Sequence, residues 1–291
     1  MFKKLCTLLL PLCLAAALLA GCGSEPTPEE PPAKEGDPDI LQIKTGLGPL
    51  ATYLNLDGLS QETLDGCYET LDLTQESPET GTVLHITETM GDSTLLYVAF
   101  TLTCPQTGDE LPDFRATLLP ENGLASSQGP ALNTELRVEE AGGGSFNCLA
   151  IFDYKSTESL SVGKPLTLML ESSQGGASTP AFVLAASWTP QKLAPTQSLE
   201  LKNEAGNPVG TALLSPLSLK LLLKDSGGQS VEALSNSIAL LDSQGNALEV
   251  NGSFTLSGSS GMVGGGAFFS PVEPSAVHTI QVGNYTAQLP Q

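Results

Sequence analysis

The chain has 291 residues with 32 acidic and 12 basic side chains, and its formal net charge at pH 7 is −20. So negative a surface repels the phosphates of DNA and RNA, which excludes nucleic acid as an expected partner. The length exceeds that of one ordinary domain, so we expect more than one folded unit.

Residues 1–21 have the three features of a secretory signal peptide. Lys3 and Lys4 give a basic start, residues 5–20 are apolar apart from Thr7 and Pro11, and small residues close the segment. The alternative is a membrane helix that is not cleaved, because the apolar run lies near the lower limit of roughly 17–25 residues for spanning a bilayer.

The four residues at the end of this apolar run and just after it favour cleavage, and an uncleaved helix with an incidental Cys22 stays the alternative. Residues 19–22, Leu-Ala-Gly-Cys, resemble the lipobox of bacterial lipoproteins. That resemblance implies that Cys22 becomes the new N-terminus and carries a diacylglyceryl group on its sulfur. Two or more acyl chains give a stable membrane anchor. We therefore expect a protein that is lipid-anchored at the extracytoplasmic face of a bacterial cell membrane.

Residues 22–44 are predicted to be the acylated cysteine and a disordered tether. Residues 23–39 are rich in proline and carboxylates, a composition that prevents collapse into a core. At about 3.1 Å per residue, an extended tether of this length reaches on the order of 50 Å. It would hold a folded body clear of the lipid headgroups.

The first folded domain is predicted over residues 45–192 and opens with a short helical segment. Between residues 47 and 73, apolar side chains recur every three or four positions, as in Leu47, Leu50, Leu54 and Leu56. This spacing is typical of one face of a helix. We expect the helix to pack against the first domain.

Most of the remaining chain alternates apolar and polar residues, which is typical of strands. In residues 95–104, every second side chain is apolar from Leu96 to Cys104, while Thr101 and Thr103 take the other face. In residues 215–225, leucines at every second position oppose Ser218, Lys220 and Lys224. Connections such as residues 242–246, DSQGN, are typical hairpin turns. The pattern predicts an all-β protein.

Two similar units are visible within the all-β part. Strand patterns that begin at Gly81 and Gly142 are followed, after similar intervals, by related patterns that begin at Gly210 and Gly264. Each unit is close to the ~100 residues of an immunoglobulin-like sandwich. The sequence therefore predicts two tandem immunoglobulin-like β-sandwiches, at residues 45–192 and 198–291. Chance similarity between two β-rich stretches is the alternative.

Three cysteines remain after the signal peptide and Cys22 are set aside. Cys104 and Cys148 are the preferred disulfide pair, because each ends or lies within a strand-like run, and Cys67 would then be a spare thiol. Three reduced thiols are the alternative. No cysteine belongs to a CxxC motif, and no histidine is spaced to complete a zinc site.

The sequence predicts no catalytic, metal or cofactor site. His85 and His278 are the only histidines, and each lies among alternating apolar residues, which favours a structural role. The serine-rich stretches have no GxSxG motif, and no calcium-binding or phosphate-binding loop is present. The single tryptophan, Trp188, follows an alternating run and is expected in packing rather than in a ligand platform.

The order of these segments resembles a family from Gram-positive bacteria. The segments are LGPLATYLN at residues 47–55, the strands within 85–102, ASWTPQKL at 186–193, and GTALLSPLSLKLLLKDSGG at 210–228. The family is the paired immunoglobulin-like extracytoplasmic region, a domain of unknown function, of membrane-anchored proteins akin to anti-sigma receptors. Receptor-like members carry a cytoplasmic segment and a membrane helix, whereas this chain begins with a lipoprotein-like signal. The family implies no catalytic or binding residues.

These observations favour a non-enzymatic function. We expect a lipid-anchored surface protein that binds, scaffolds or senses, with a surface protein or cell-wall component as partner. The alternative is an enzyme or inhibitor that acts on cell-wall polymer through two of its many carboxylates. A structural spacer that presents no binding site is a third class.

Overall fold

The computed structural model describes residues 48–106, 110, 112–120, 131–132, 135–154, 160–172, 181–224, 227–257, 262–268 and 270–290. The predicted signal peptide at residues 1–21, the lipidation site Cys22 and the tether at 22–44 lie outside the described residues. The described residues belong to a single compact unit, Asp39–Gln291.

Two short helices open the described chain. Helix α1 spans Pro49–Tyr53, and helix α2 spans Gln61–Cys67, where the Ser60 hydroxyl accepts a hydrogen bond from the Thr63 backbone N–H at 3.2 Å and caps the helix. The predicted helical segment is therefore split in two. It also ends earlier than residue 73, because residues from Tyr68 onward pair as a strand.

The first β unit, residues 68–188, contains two antiparallel sheets. One sheet has five strands in the order β1-β2-β3-β7-β6, and the other has four in the order β5-β4-β8-β9. The strands are β1 Tyr68–Glu76, β2 Val83–Gly91, β3 Leu95–Thr103, β4 Phe114–Pro120, β5 Ala131–Leu132, β6 Glu135–Gly142, β7 Ser145–Asp153, β8 Leu166–Ser172 and β9 Val183–Trp188.

One hydrophobic core lies between these two sheets. It receives alternate side chains from both, including Phe100 of β3, Phe152 of β7 and Leu168 of β8. Because strand side chains alternate between faces, each sheet can bury one face against the other. The first unit is thus a two-layered β structure.

Strand β3 is buried on both faces. Leu96, Val98 and Phe100 face the core between the sheets, whereas Leu95 and Tyr97 belong to a second cluster on the outer face. That second cluster also contains Leu50 of α1 and Leu217 of the downstream chain. The two N-terminal helices and the second β unit therefore cover the outer face of the five-stranded sheet.

The second β unit, residues 197–288, is one sheet of eight strands in the order β13-β16-β17-β10-β11-β12-β15-β14. A helix α3, Val231–Ser235, and a 3₁₀ turn, Pro274–Ala276, lie in its connections. The strands are β10 Gln197–Lys202, β11 Pro208–Leu214, β12 Ser218–Leu223, β13 Ile238–Leu241, β14 Gly252–Ser257, β15 Met262–Phe268, β16 Thr279–Val282 and β17 Tyr285–Gln288.

This sheet folds over onto itself. Strands β10 and β17 are joined through the single pair Lys202 and Thr286, and side chains from both halves, such as Leu221 and Ile280, share one buried cluster. Every named strand pair in the described chain is antiparallel, with parallel geometry limited to one isolated bridge. The predicted all-β class is confirmed.

Candidate functional site: the junction and the adjoining groove

A fully buried carboxylate lies where the two β units meet. Asp92, in the turn between β2 and β3, has no exposed surface. One oxygen, Oδ1, accepts hydrogen bonds from the backbone N–H groups of Thr94 at 2.6 Å and Leu95 at 2.7 Å, and from the Thr94 hydroxyl at 3.0 Å. This half of the network belongs to the first unit.

The other oxygen of Asp92 reaches the second unit. Oδ2 accepts hydrogen bonds from the hydroxyls of Ser215 and Ser218, and the bond from Ser218 is 2.6 Å long. These two serines flank the turn between β11 and β12. A buried carboxylate is tolerated when its lone pairs are filled, and bonds to an ionised acceptor are stronger than neutral ones. Asp92 therefore fastens the two units to each other.

Two further contacts cross the same junction. Lys220 Nζ lies 2.9 Å from Asp153 Oδ1, with only 7% of the lysine side chain exposed. The Tyr97 hydroxyl donates to the backbone carbonyl of Phe268 at 3.2 Å. Burial, with a smaller contribution from the Asp92 charge, raises the pKa of Tyr97, so this hydroxyl keeps the proton that it donates.

The segment between the units is held at the junction as well. The Ala194 backbone N–H donates to the Gly91 carbonyl at 2.7 Å, and the Ser93 hydroxyl donates to that of Thr196 at 2.8 Å. A connection with such bonds is not a free linker. The two units and the N-terminal helices therefore form one body with a fixed surface.

A groove of about 1130 Å³ runs along this body between α2 and the second unit. One wall is formed by Ser60, Glu62, Thr63 and Gly66, and the other by the chain from Glu273 to His278 and the turn at Asp242. A second recess of about 430 Å³ shares three lining residues with the first, namely Leu248, Glu273 and Ala276.

Glu273 connects the two walls. Its carboxylate accepts hydrogen bonds from the Ser60 backbone N–H at 3.0 Å and from the Thr63 hydroxyl at 2.9 Å and 3.1 Å. Partial burial alone would raise the pKa of Glu273, but these bonds outweigh it and hold the pKa below its ordinary value. The side chain stays ionised while it fixes α2 against the second unit.

Asp242 is a second ionised carboxylate of the groove. Its Oδ1 accepts from the backbone N–H groups of Gln244 and Asn246, each at 2.8 Å, and its Oδ2 accepts from the Asn246 amide at 3.1 Å. The bonds from Asn246 lower the pKa of Asp242. A general acid of a glycosidase needs a raised pKa instead, so neither Asp242 nor Glu273 is tuned for that role.

Of the predicted disulfide partners, Cys148 lies in β7 and Cys104 directly follows β3, the strand beside β7. Cys148 of β7 is opposite Phe100, whereas the Cys104 N–H bonds the Gly144 carbonyl. Cys104 is four residues beyond Phe100, the residue opposite Cys148, so the two cysteines are offset along the strands by roughly 13 Å at about 3.3 Å per residue. A disulfide requires Cα atoms within roughly 7 Å, so this register does not bring Cys104 and Cys148 together. The structure records both as thiols.

The other residues considered from sequence have local roles. His85 Nε2 lies 2.9 Å from Asp72 on an exposed face, and His278 Nδ1 lies 3.1 Å from the Thr279 hydroxyl while the residue lines the groove. Trp188 is buried in the first unit. Asp92 could not be identified from the sequence, where its only signal is the short run of Asp, Ser and Thr at residues 92–94.

Within the described parts of the chain, no three histidine, cysteine or acidic side chains are grouped closely enough to hold a metal ion. The same parts contain no helix of the length and hydropathy that crossing a membrane requires.

Comparison with known proteins yields one similar fold. No family model and no curated protein matches the chain. A solved structure, the crystal structure of the conserved domain protein from Bacillus anthracis, is similar over 80% of this chain and 83% of that one, with a TM-score of 0.52 and 13% identity. At this identity the similarity concerns the fold alone.

Proposed function

We propose that this protein is a non-enzymatic binding module, lipid-anchored through Cys22 at the extracytoplasmic face of a bacterial membrane. In this proposal residues 1–21 are removed and residues 22–44 tether two tandem immunoglobulin-like units. The support for the anchor is the lipobox-like sequence at residues 19–22. The support for the paired units is the antiparallel pairing and the separate core of each β unit.

The observation that carries the binding role is the groove beside a fixed junction. Its carboxylates Asp242 and Glu273 are bonded by uncharged groups, so their negative charge is not cancelled by these partners. A groove of this kind, on a body whose units are fastened together, can hold a partner without reorganising first. Carboxylates kept ionised suit attraction of a cation better than proton donation.

Surface shaving of cells that express the full chain tests the proposal. We expect wild-type protein in the membrane fraction, with the folded region accessible to a protease added outside intact cells. The Cys22→Ala variant should instead leave the membrane fraction, because it lacks the sulfur that accepts the lipid. Wild-type protein that stays protected from external protease, or a Cys22→Ala variant that remains in the membrane, would refute the proposal.

A further inference from the structure

The groove and the second recess adjoin each other and are treated as one depression. They meet at Leu248, Glu273 and Ala276, and the larger part alone, about 1130 Å³, exceeds the roughly 300–1,000 Å³ of pockets for small molecules. A ligand that fits the smallest of these pockets would leave most of this space empty. A chain-like ligand can fill both parts.

The charge along the depression has one sign. Glu62 and Asp242 line the larger part, Glu249 lines the second recess, and Glu273 lies where the two meet. Among the described residues that line either part, none is lysine or arginine. Carboxylates on both walls favour a ligand with several positive charges, because complementary potentials steer and align a partner.

Apolar surface lines the same depression as the carboxylates. It is contributed by prolines and leucines of the two linings, namely Pro195, Pro216, Leu248, Pro271, Pro274, Leu289 and Pro290. The aliphatic stems of lysine and arginine pack on such surface while their charged ends reach carboxylates. Among the described residues of the two linings there is no phenylalanine, tyrosine or tryptophan, and the one aromatic ring is the imidazole of His278. A sugar ring therefore has no large phenyl, phenol or indole face to pack on, which favours a peptide over a glycan.

The protein's own tether and a second copy of the chain do not suit this depression. Residues 23–39 contain six acidic residues and one lysine, Lys34. A second copy carries the same net charge of −20. Both would meet the groove with charge of the same sign, so the occupant is a different molecule.

We propose that the depression binds an extended, lysine- or arginine-rich peptide segment of a partner protein outside the membrane. Its cationic side chains would lie against Glu62, Asp242 and Glu249, and their stems would cover the prolines between them. Glu273 would keep the two walls in place. This inference rests on the proposed function and names the class of partner for it.

Fluorescence anisotropy with the full-length protein in detergent tests the inference. The probe is a labelled ten-residue peptide of alternating lysine and alanine, and the comparison probes are its glutamate counterpart and a cationic chitosan oligomer. The groove variant combines Glu62→Gln, Asp242→Asn and Glu249→Gln. Asparagine at 242 keeps the Oδ1 acceptor that the turn uses.

The control variant combines Glu139→Gln, Glu140→Gln and Glu204→Gln, which changes the net charge equally at exposed positions away from the groove. We expect the groove variant to bind the lysine peptide about tenfold more weakly, since each exposed charge pair contributes a small factor in affinity. The control variant should stay within about twofold of wild type. Equal thermal midpoints for both variants verify that each is folded.

Equal weakening in both variants would overturn the inference, because attraction would then follow net charge alone. No saturable binding up to about 1 mM would also overturn it, as would groove-dependent binding of chitosan in place of the peptide. These results differ from those that would refute the proposed function, which is tested by membrane fractionation and by the Cys22→Ala variant. A protein anchored outside the cell whose groove binds none of the probes loses this inference only.

Discussion

The buried Asp92 network makes a quantitative prediction about stability. In the Asp92→Ala variant the backbone N–H groups of Thr94 and Leu95 lose the acceptor that they share. The hydroxyls of Ser215 and Ser218, 3.3 Å apart, can still bond each other, so their loss is smaller. An unsatisfied buried donor costs about 1–3 kcal/mol, and we expect a total loss of about 3–5 kcal/mol in the free energy of unfolding.

Urea denaturation monitored by tryptophan fluorescence measures this loss. Trp188 is the single tryptophan and is buried in the first unit, so its signal follows that unit, while circular dichroism follows all strands. The control is Asp72→Ala, whose side chain is 94% exposed in the wild type and whose loss should change stability by less than about 0.5 kcal/mol. If Asp92→Ala also costs less than about 1 kcal/mol, the network does not fasten the junction as inferred.

Three further predictions concern separate parts of the fold. Because the pKa of Glu273 is lowered in the folded protein, its carboxylate stabilises the fold above the ordinary pKa of 4.5, and this stability is lost as the pH falls through the lower folded pKa. In acid titrations followed by circular dichroism, the Glu273→Gln variant should not show this loss of stability. Identical titration curves for variant and wild type would contradict the prediction. An added Cβ at Gly210 would lie 2.4 Å from a backbone carbonyl oxygen of β12, so Gly210→Ala should cost about 1–3 kcal/mol in thermal unfolding, and an unchanged midpoint would refute the close contact. Burial raises the pKa of Cys67 and Cys148 to about 12, so both thiols should resist alkylation in the native protein at pH 8. After denaturation without reductant, both should react, and so should Cys104. A denatured protein in which only one of these three thiols reacts would instead show a disulfide.

Strand patterns were predictable where one face of a strand meets a core. The alternation in residues 95–104 identified the face of β3 that carries Val98 and Phe100 into the core between the sheets. The opposite face could not be assigned from sequence, because Leu95 and Tyr97 are buried by helices and a unit that are distant in the chain. The local periodicity of a strand does not show which distant segments of the chain pack on its second face.

The burial of the polar face of β12 could not be predicted for the same reason. Ser218 and Lys220 alternate with leucines and would ordinarily face solvent, yet both are buried, against Asp92 and Asp153 respectively. A polar residue is buried when a partner from elsewhere satisfies it, and the sequence does not name that partner. The groove could not be predicted from the sequence for a related reason, because its lining residues Glu62 and Asp242 are 180 positions apart in the chain.

The glycine-rich stretch at residues 264–266 lies inside a strand. These residues belong to β15, between β12 and β14. A Cβ at Gly265 would approach the Leu219 carbonyl oxygen to 2.4 Å. Glycine is therefore needed here for the close approach of β12, a requirement that appears only when the neighbouring strand is known.

Mass spectrometry of the N-terminal peptide from membrane-extracted protein tests the central claim most directly. The proposal predicts a first residue Cys22 that carries a diacylglyceryl group on its sulfur, with residues 1–21 removed. A peptide that begins at Met1, or a Cys22 without lipid in the membrane fraction, would contradict it.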